Sequence, residues 1–360
     1  MKKSNRETEW KERPEQTVGV DLGDRFSRYC ILNSDGEVIE EGRVATSKEG
    51  FRRQWEGEPR QRIIVETGTH SPWVSRLLKG LGHQVIVANA RKVRAIWENE
   101  SKNDRRDAEM LAQLGYSNPR LLSPVRHRSM ERQRDLNLLR ARDTLVRART
   151  MLINSVRGLV KSAGGRLPAC AADYFAKKVS STLPEELKAA GEPLVEQITA
   201  LTIQIRRLNE EIEKLAQRYP EISLLRTVPG VGPVIAAAYV LTLDRVDAVE
   251  HSRSAGAFLG LRPRQSQSGD SDPEHNISKT GNLYLRRLLV QAAHYILGRF
   301  GKDSALRRWG LKLALGGKRA KKRAVVAVAR KLAVLLHRMW RTGQSYQPFP
   351  QPTAAVAQVS

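Results

Sequence analysis

"TVGVDLGDRFSRYCIL", residues 17–32, decides the fold class. A β-branched apolar run stops at Asp21, a Gly-containing turn follows, and Phe26–Leu32 resumes as a second run: strand, turn, strand. "GEVIEEGRVA" (36–45) continues the hairpin pattern, and "RIIVETGTH" (62–70) holds another short β-branched strand that ends at Glu66. "SPWVSRLLKGLG" (71–82) then has helical character, "HQVIVAN" (83–89) is a strand, and "DAEMLAQLGY" (107–116) is a helix. This mixing predicts an α/β domain over residues 15–120.

Beyond that domain the pattern changes. Leu138, Leu145, Leu152 and Leu159 recur every seven residues among many arginines. After a Gly- and Pro-containing break, Leu194, Ile198, Leu201, Ile205, Leu208, Ile212 and Leu215 alternate spacings of four and three, a coiled-coil pattern. Two readings stand here. The helices of residues 125–219 pair within the chain, or they join protomers into a dimer or tetramer. Residues 220–345 read as a compact, mainly helical domain, and 346–360 ("QPFPQPTAAVAQVS" and the residue before it) as a disordered tail.

The chain of 360 residues carries 62 Lys+Arg against 38 Asp+Glu, a formal charge of +24. Such an excess repels itself unless a polyanion neutralises it, and nucleic acid is the expected partner. Residues 299–341 concentrate the excess, with fourteen basic residues against the single Asp303. Cys30 and Cys170 match no zinc spacing and suit a reducing compartment. There is no signal-like leader and no run of about 18 apolar residues, so the expected setting is cytoplasmic, with no membrane partner.

Four acids carry candidate chemistry. Asp21 and Glu66 each end a strand, and Asp104 and Asp107 stand three apart at a helix start, where both can share one face. Singly, each has an ordinary role as turn residue, surface acid or N-cap. Converging, they would repel one another unless cations lay among them, and an all-oxygen set suits Mg²⁺ or Mn²⁺. Two such ions about 4 Å apart are a common device around a phosphate.

"LLRTVPGVGPVIAAAYVLTL" (224–243) reads as helix, Pro-Gly-Val-Gly turn, helix. Gly230 and Gly232 either merely permit a tight turn or let backbone N–H groups meet a phosphate, as in a helix-hairpin-helix. "GLRPRQSQSGDSDPEHNISKTGN" (260–282) then holds several hydroxyls in a segment too polar to bury anything. These are solvated loop residues, or one serine is kept exposed for chemistry.

The phrases "VGVDLG", "VETGTH" and "NDRRDAEMLA", in that order, resemble the RuvC-like (RNase H-type) domain of the DEDD-type insertion-sequence transposases. That family includes the Piv-type DNA invertases and the bridge-RNA-guided serine recombinases. The Gly-Leu-x-Pro loop (Gly260–Pro263), the Ser268-Gly269 pair and the "SKTGN" segment (278–282) are similar to its transposase domain. The resemblance spans about residues 15–345. It implies that Asp21, Glu66, Asp104 and Asp107 hold Mg²⁺ (or Mn²⁺), and that Ser268 is the nucleophile, with Ser266 and Ser271 the neighbouring registers. It also implies nucleic-acid contacts at Gly230, Gly232, Arg264, Lys279, Asn282 and Arg286. Implied partners are donor and target DNA, a structured guide RNA and further copies of the chain, in a prokaryotic, nucleoid-associated setting. Two other functions compete: a metal-dependent nuclease of the junction-resolvase kind that uses water, and a non-catalytic nucleic-acid scaffold.

Overall fold

The computed structural model describes residues 14–94, 104–264 and 275–350. Two compact units divide it, Met1–Arg128 and Ser129–Ser360.

The first unit is a mixed five-stranded sheet flanked by helices. Strands β1 (Thr17–Asp21), β2 (Phe26–Leu32) and β3 (Val38–Ala45) form an antiparallel meander. After helix α1 (Lys48–Trp55), β4 (Arg62–Glu66) pairs parallel to β1. Helix α2 (Ser71–Gly80) leads to β5 (Gln84–Ala88), which pairs parallel to β4, so the sheet order is β3-β2-β1-β4-β5. Helices α3 (Ala90–Arg94) and α4 (Asp104–Ser117) follow.

Alternation along the strands sorts the two faces. Val18, Val20, Ile63 and Val65 pack with Phe51, Trp55, Val74 and Leu78 of α1 and α2. The intervening Cys30, Leu32, Ile64 and Ile86 pack with Ala108, Leu111, Ala112 and Leu114 of α4. The inner strands β1 and β4 are thus apolar on both sides, as the near-continuous run "RIIV" requires.

The second unit is helical. Its long helices α5 (Met130–Ser162) and α7 (Lys188–Arg218) lie antiparallel against each other, with the short α6 (Phe175–Val179) between them in sequence. Asp135 near the start of α5 binds Arg218 and Tyr219 at the end of α7, and Arg149 at mid-helix reaches Thr202. Ile198, Ile205, Ile212 and Leu215 are buried here, so this apolar stripe pairs inside the chain. On α5 the seven-residue leucines are only half-buried. The buried stripe is Leu136, Leu139, Ile153, Val156 and Val160, which run beside them.

Helices α8 (Pro220–Leu225), α9 (Pro233–Leu243), α10 (Ala255–Phe258), α11 (Leu283–Leu297), α12 (Ala305–Leu313) and α13 (Lys318–Thr342) complete the unit. Helix α9 is apolar on every side and is buried at the centre of their core. That core also takes Leu136, Leu139, Ile212 and Leu215, so residues 125–219 and 220–345, distinct in sequence character, share it. Residues 346–350, assigned above to the tail, are tied down: Tyr346 N–H donates to Thr227 and the Pro348 carbonyl accepts from Ala305. Residues 351–360 lie outside the described residues. No helix among the described residues is long and apolar enough to cross a membrane.

Candidate active site and nucleic-acid interface

Parallel pairing puts the ends of β1 and β4 side by side. Val20 is opposite Val65, so Asp21 and Glu66 follow as neighbours where both strands stop, each half-buried. Period-two alternation gives both acids the face of Gly19 and Ile64, which is the face that α4 covers.

The direction of α4 follows from its small residues. A Cβ on Gly115 would stand 2.2 Å from Ile64 Cδ1 and 3.5 Å from Thr17 Cγ2, at the start of the strands. A Cβ on Gly19 would stand 2.0 Å from the Ala108 carbonyl oxygen and 2.4 Å from the Ala112 nitrogen. The helix therefore runs antiparallel to β1, and its first turn stands at the edge where Asp21 and Glu66 emerge. Asp104 opens that turn and Asp107, half-buried, lies within it. Carboxylates in a first helical turn also meet the favourable end of the helix dipole. Two strand ends and one helix start thus share this edge, and each bears acid, but among the described residues no three of these side chains gather closely enough to hold a metal ion.

Two further groups at this edge escaped the sequence reading. Asp24 follows β1 and His70 follows β4, and they face each other at 3.6 Å. Trp73, three residues after His70 across a helix start, donates its indole N–H to His70 Nδ1 at 3.0 Å. The i, i+3 spacing in "HSPW" was the available signal.

In the second unit Gly230 adopts φ +92°, a left-handed conformation suited to glycine, and Gly232 caps α9 without a side-chain bond. The turn lines a cleft of about 640 Å³ together with Arg142, Arg226, Gln291, Tyr295 and Lys302. Arg142 comes from α5 and Lys302 from beyond α11, so this basic lining is visible only after folding. Tyr284, half-buried beside Arg142, Asp143 and Arg287, has its hydroxyl pushed up to about 12, chiefly by burial, and stays protonated.

The serine loop has a firm base. Arg264 N–H donates to Asn276 O at 3.0 Å, Ser278 N–H to Arg262 O at 2.8 Å, and Lys279 N–H to Gly260 O at 3.1 Å. Both flanks of residues 265–274 thus start from one paired stem. Ser268, with Ser266 and Ser271, lies outside the described residues. Arg264 and Lys279 are exposed beside this stem. Asn282 caps α11, accepting from Leu285 N–H. Arg286 is 7% exposed and donates to the carbonyls of Leu259 and Thr280, so its guanidinium braces the stem and is withdrawn from the surface.

Comparison with known proteins finds matches in both units, the first running past the first unit through α5. Residues 18–164 match the DEDD IS110 family model described as "Transposase", and residues 222–309 match "Transposase IS116/IS110/IS902 family". The transposase for insertion sequence element IS1111A of Coxiella burnetii is 28% identical, over 92% of this chain and 91% of its own length. A probable family 20 transposase of Pseudomonas aeruginosa is 32% identical, over 79% of this chain and 86% of its own. The pilin gene-inverting protein of Moraxella bovis is 24% identical, over 79% and 81%. With identity at that level across most of both chains, and both halves matched, the chain belongs to the IS116/IS110/IS902 family of transposases.

Proposed function

We propose that this transposase cuts and rejoins DNA through a serine-linked intermediate, with Asp21, Glu66, Asp104 and Asp107 as its metal-binding acids in a RuvC-like domain. The observation that carries the reading is the meeting of the β1 end, the β4 end and the first turn of α4, each bearing acid. A donor set of carboxylate oxygens alone fits Mg²⁺ or Mn²⁺. When bound, such ions supply positive charge to a phosphate's oxygens and ease the approach of a nucleophile.

Ser268 is the proposed nucleophile. Its Oγ–P bond forms as the P–O bond to one deoxyribose oxygen breaks; the serine proton leaves and the departing oxygen takes one up. The phosphodiester is exchanged rather than hydrolysed, so the reverse attack by another strand end restores DNA. That conservation explains why a recombinase benefits from serine where a nuclease uses water. The paired stem on either side of residues 265–274 is braced by Arg286, which gives that segment a fixed point of departure.

The Gly230–Gly232 turn is proposed to act as the hairpin of a helix-hairpin-helix on nucleic-acid phosphates, helped by Arg142, Arg226 and Lys302. The +24 charge supports simultaneous binding of donor DNA, target DNA and a structured guide RNA, in an assembly of several copies. Mass spectrometry of digested protein–DNA adducts on a nicked substrate tests the chemistry. Wild type yields a peptide bearing DNA on Ser268; Ser268→Ala yields none while binding DNA normally. Adduct on Ser266 or Ser271 moves the nucleophile, and hydrolysis without adduct in wild type makes the enzyme a nuclease.

A further inference from the structure

Two loops leave the acid-bearing edge of the sheet. The loop after β1 carries Asp24, three residues past Asp21, and the loop after β4 carries His70, four past Glu66. They meet above the strand ends, His70 Nε2 to Asp24 Oδ1 at 3.6 Å, with the imidazole largely covered and Asp24 open to solvent.

The other imidazole nitrogen is committed. Trp73 donates its indole N–H to His70 Nδ1 at 3.0 Å, and the two rings stand perpendicular with centroids 6.1 Å apart. Trp73 is itself held edge-on against Phe51 at 5.5 Å, and Phe51 is fully buried. An indole N–H only donates, so Nδ1 must keep its lone pair. The neutral imidazole then carries its proton on Nε2, the nitrogen that faces the loop of Asp24. His70 is thereby fixed as a donor at this edge and barred from serving as a base through Nε2.

We propose that His70 is a further catalytic residue of this transposase, donating Nε2–H to a phosphate oxygen at the acid-bearing edge, with Trp73 as the positioning residue that fixes its tautomer. The proposal rests on the reading of Asp21, Glu66, Asp104 and Asp107 as the catalytic acids. Asp24 does not occupy the donor: 3.6 Å exceeds a hydrogen bond, and a fully solvated carboxylate competes poorly with a phosphate oxygen gaining charge in the transition state.

The test is single-turnover strand cleavage by the full chain on a nicked duplex bearing the element's own end, with Asp21→Asn as reference. His70→Ala is expected to slow cleavage about 100-fold with melting and DNA affinity unchanged. His70→Gln puts an amide N–H near the Nε2 position and restores the rate to within about tenfold of wild type. Trp73→Phe slows the wild-type background yet adds nothing to His70→Ala, which a merely structural tryptophan would not do. Asp24→Asn changes the rate by less than about threefold, as for an exposed charge without a hydrogen bond to Nε2.

Wild-type cleavage by His70→Ala, with Asp21→Asn dead, overturns the proposal and leaves the acids standing. It is also overturned if His70→Gln is as slow as His70→Ala and both lose an acid limb present in the wild-type pH profile, which marks a general base. A loss in Asp24→Asn equal to that in His70→Ala reduces the pair to a tie between loops. Normal cleavage by Asp21→Asn refutes the acid edge, and this proposal with it.

Discussion

Gly19→Ala tests whether the acid-bearing edge depends on how closely α4 approaches the sheet. The added Cβ would lie 2.0 Å from the Ala108 carbonyl oxygen and 2.4 Å from the Ala112 nitrogen, both backbone atoms that no rotamer change can remove. Gly19 has no left-handed backbone, so the substitution carries no strain of its own. The helix must therefore retreat by about 1 Å even to reach a tight contact, an overpacking cost of about 1–3 kcal/mol. The same retreat carries Asp107 away from Asp21 and Glu66, and a misplacement of about 1 Å costs on the order of 100-fold in rate. Gly115→Ala is the matched control. Its Cβ would meet Cδ1 and Cγ1 of the buried Ile64 at 2.2 and 2.4 Å, so that side chain must repack, offset in part by about 1 kcal/mol of helix propensity. Lying at the far end of α4 from the acids, it should cost stability while leaving the cleavage rate near wild type. Denaturant unfolding gives the stabilities and single-turnover cleavage gives the rates. If Gly19→Ala is as stable as wild type within about 0.5 kcal/mol and cleaves at the same rate, the close approach does not set the site.

Asp21→Asn or Glu66→Gln should abolish strand cleavage while leaving DNA affinity intact; a variant recombining at wild-type rate removes that acid from the site. Asp135→Ala removes a buried acceptor of Tyr219 at 2.7 Å and Arg218 at 2.9 Å. The expected loss by denaturant unfolding is about 2–3 kcal/mol, held down because Arg218 can turn to water, and Tyr219→Phe should lose about 1 kcal/mol. Burial, with Arg76, Arg128 and Lys79 close by, holds His127 down to about 4. The unfolded chain takes up that proton near pH 6.5, so this contribution is complete above 6.5 and drains away as pH falls toward 4; His127→Gln should flatten the slope of melting temperature over that window. DNA affinity should fall with salt at a log–log slope of roughly −0.9 per phosphate neutralised, and replacing the exposed Lys318, Arg319, Lys321 and Lys322 by glutamine should reduce that slope. A slope unchanged by that replacement excludes this face from the contact.

Where one residue's neighbours decide its environment, the chain was readable. Strands β1, β4 and β5 announce themselves by β-branched runs and β2 by its place after the Gly-containing turn, and the acids by standing where the runs of β1 and β4 stop. Helix α1 does not, because only Phe51 and Trp55 anchor its eight residues and two points define no period. On α5 the leucines at intervals of seven are conspicuous but lie beside the seam, which holds the buried Asp135 and Arg149 that no apolar period can reveal. Arg286 looks like a surface cation until the loop carbonyls of Leu259 and Thr280 close over it. The proximity of Asp21 to Glu66 depends on strand register across some 45 residues, and the basic cleft at Gly230 on residues as distant as Arg142 and Lys302. These are tertiary facts, set by packing rather than by local sequence.

The contact between β1 and α4 bears on why the edge is built as it is. Gly19, Ala108 and Ala112 bring the backbones of strand and helix together where larger apolar residues would bury more surface. Each methylene forgone there costs about 0.8 kcal/mol of hydrophobic stabilisation. A helix that only covered the sheet would gain from leucine or valine at these positions and could slide or tilt on them. With backbone against backbone, the helix has little room to move along or away from the strand. Its first turn is then fixed relative to the strand ends, which is what a site assembled from three separate chain ends requires. Gly19 sits two strand positions from Asp21 and Ala108 directly follows Asp107, where rigidity has the shortest lever arm. On this reasoning, stabilising the first unit by enlarging those positions works against cleavage even where the fold accepts the change.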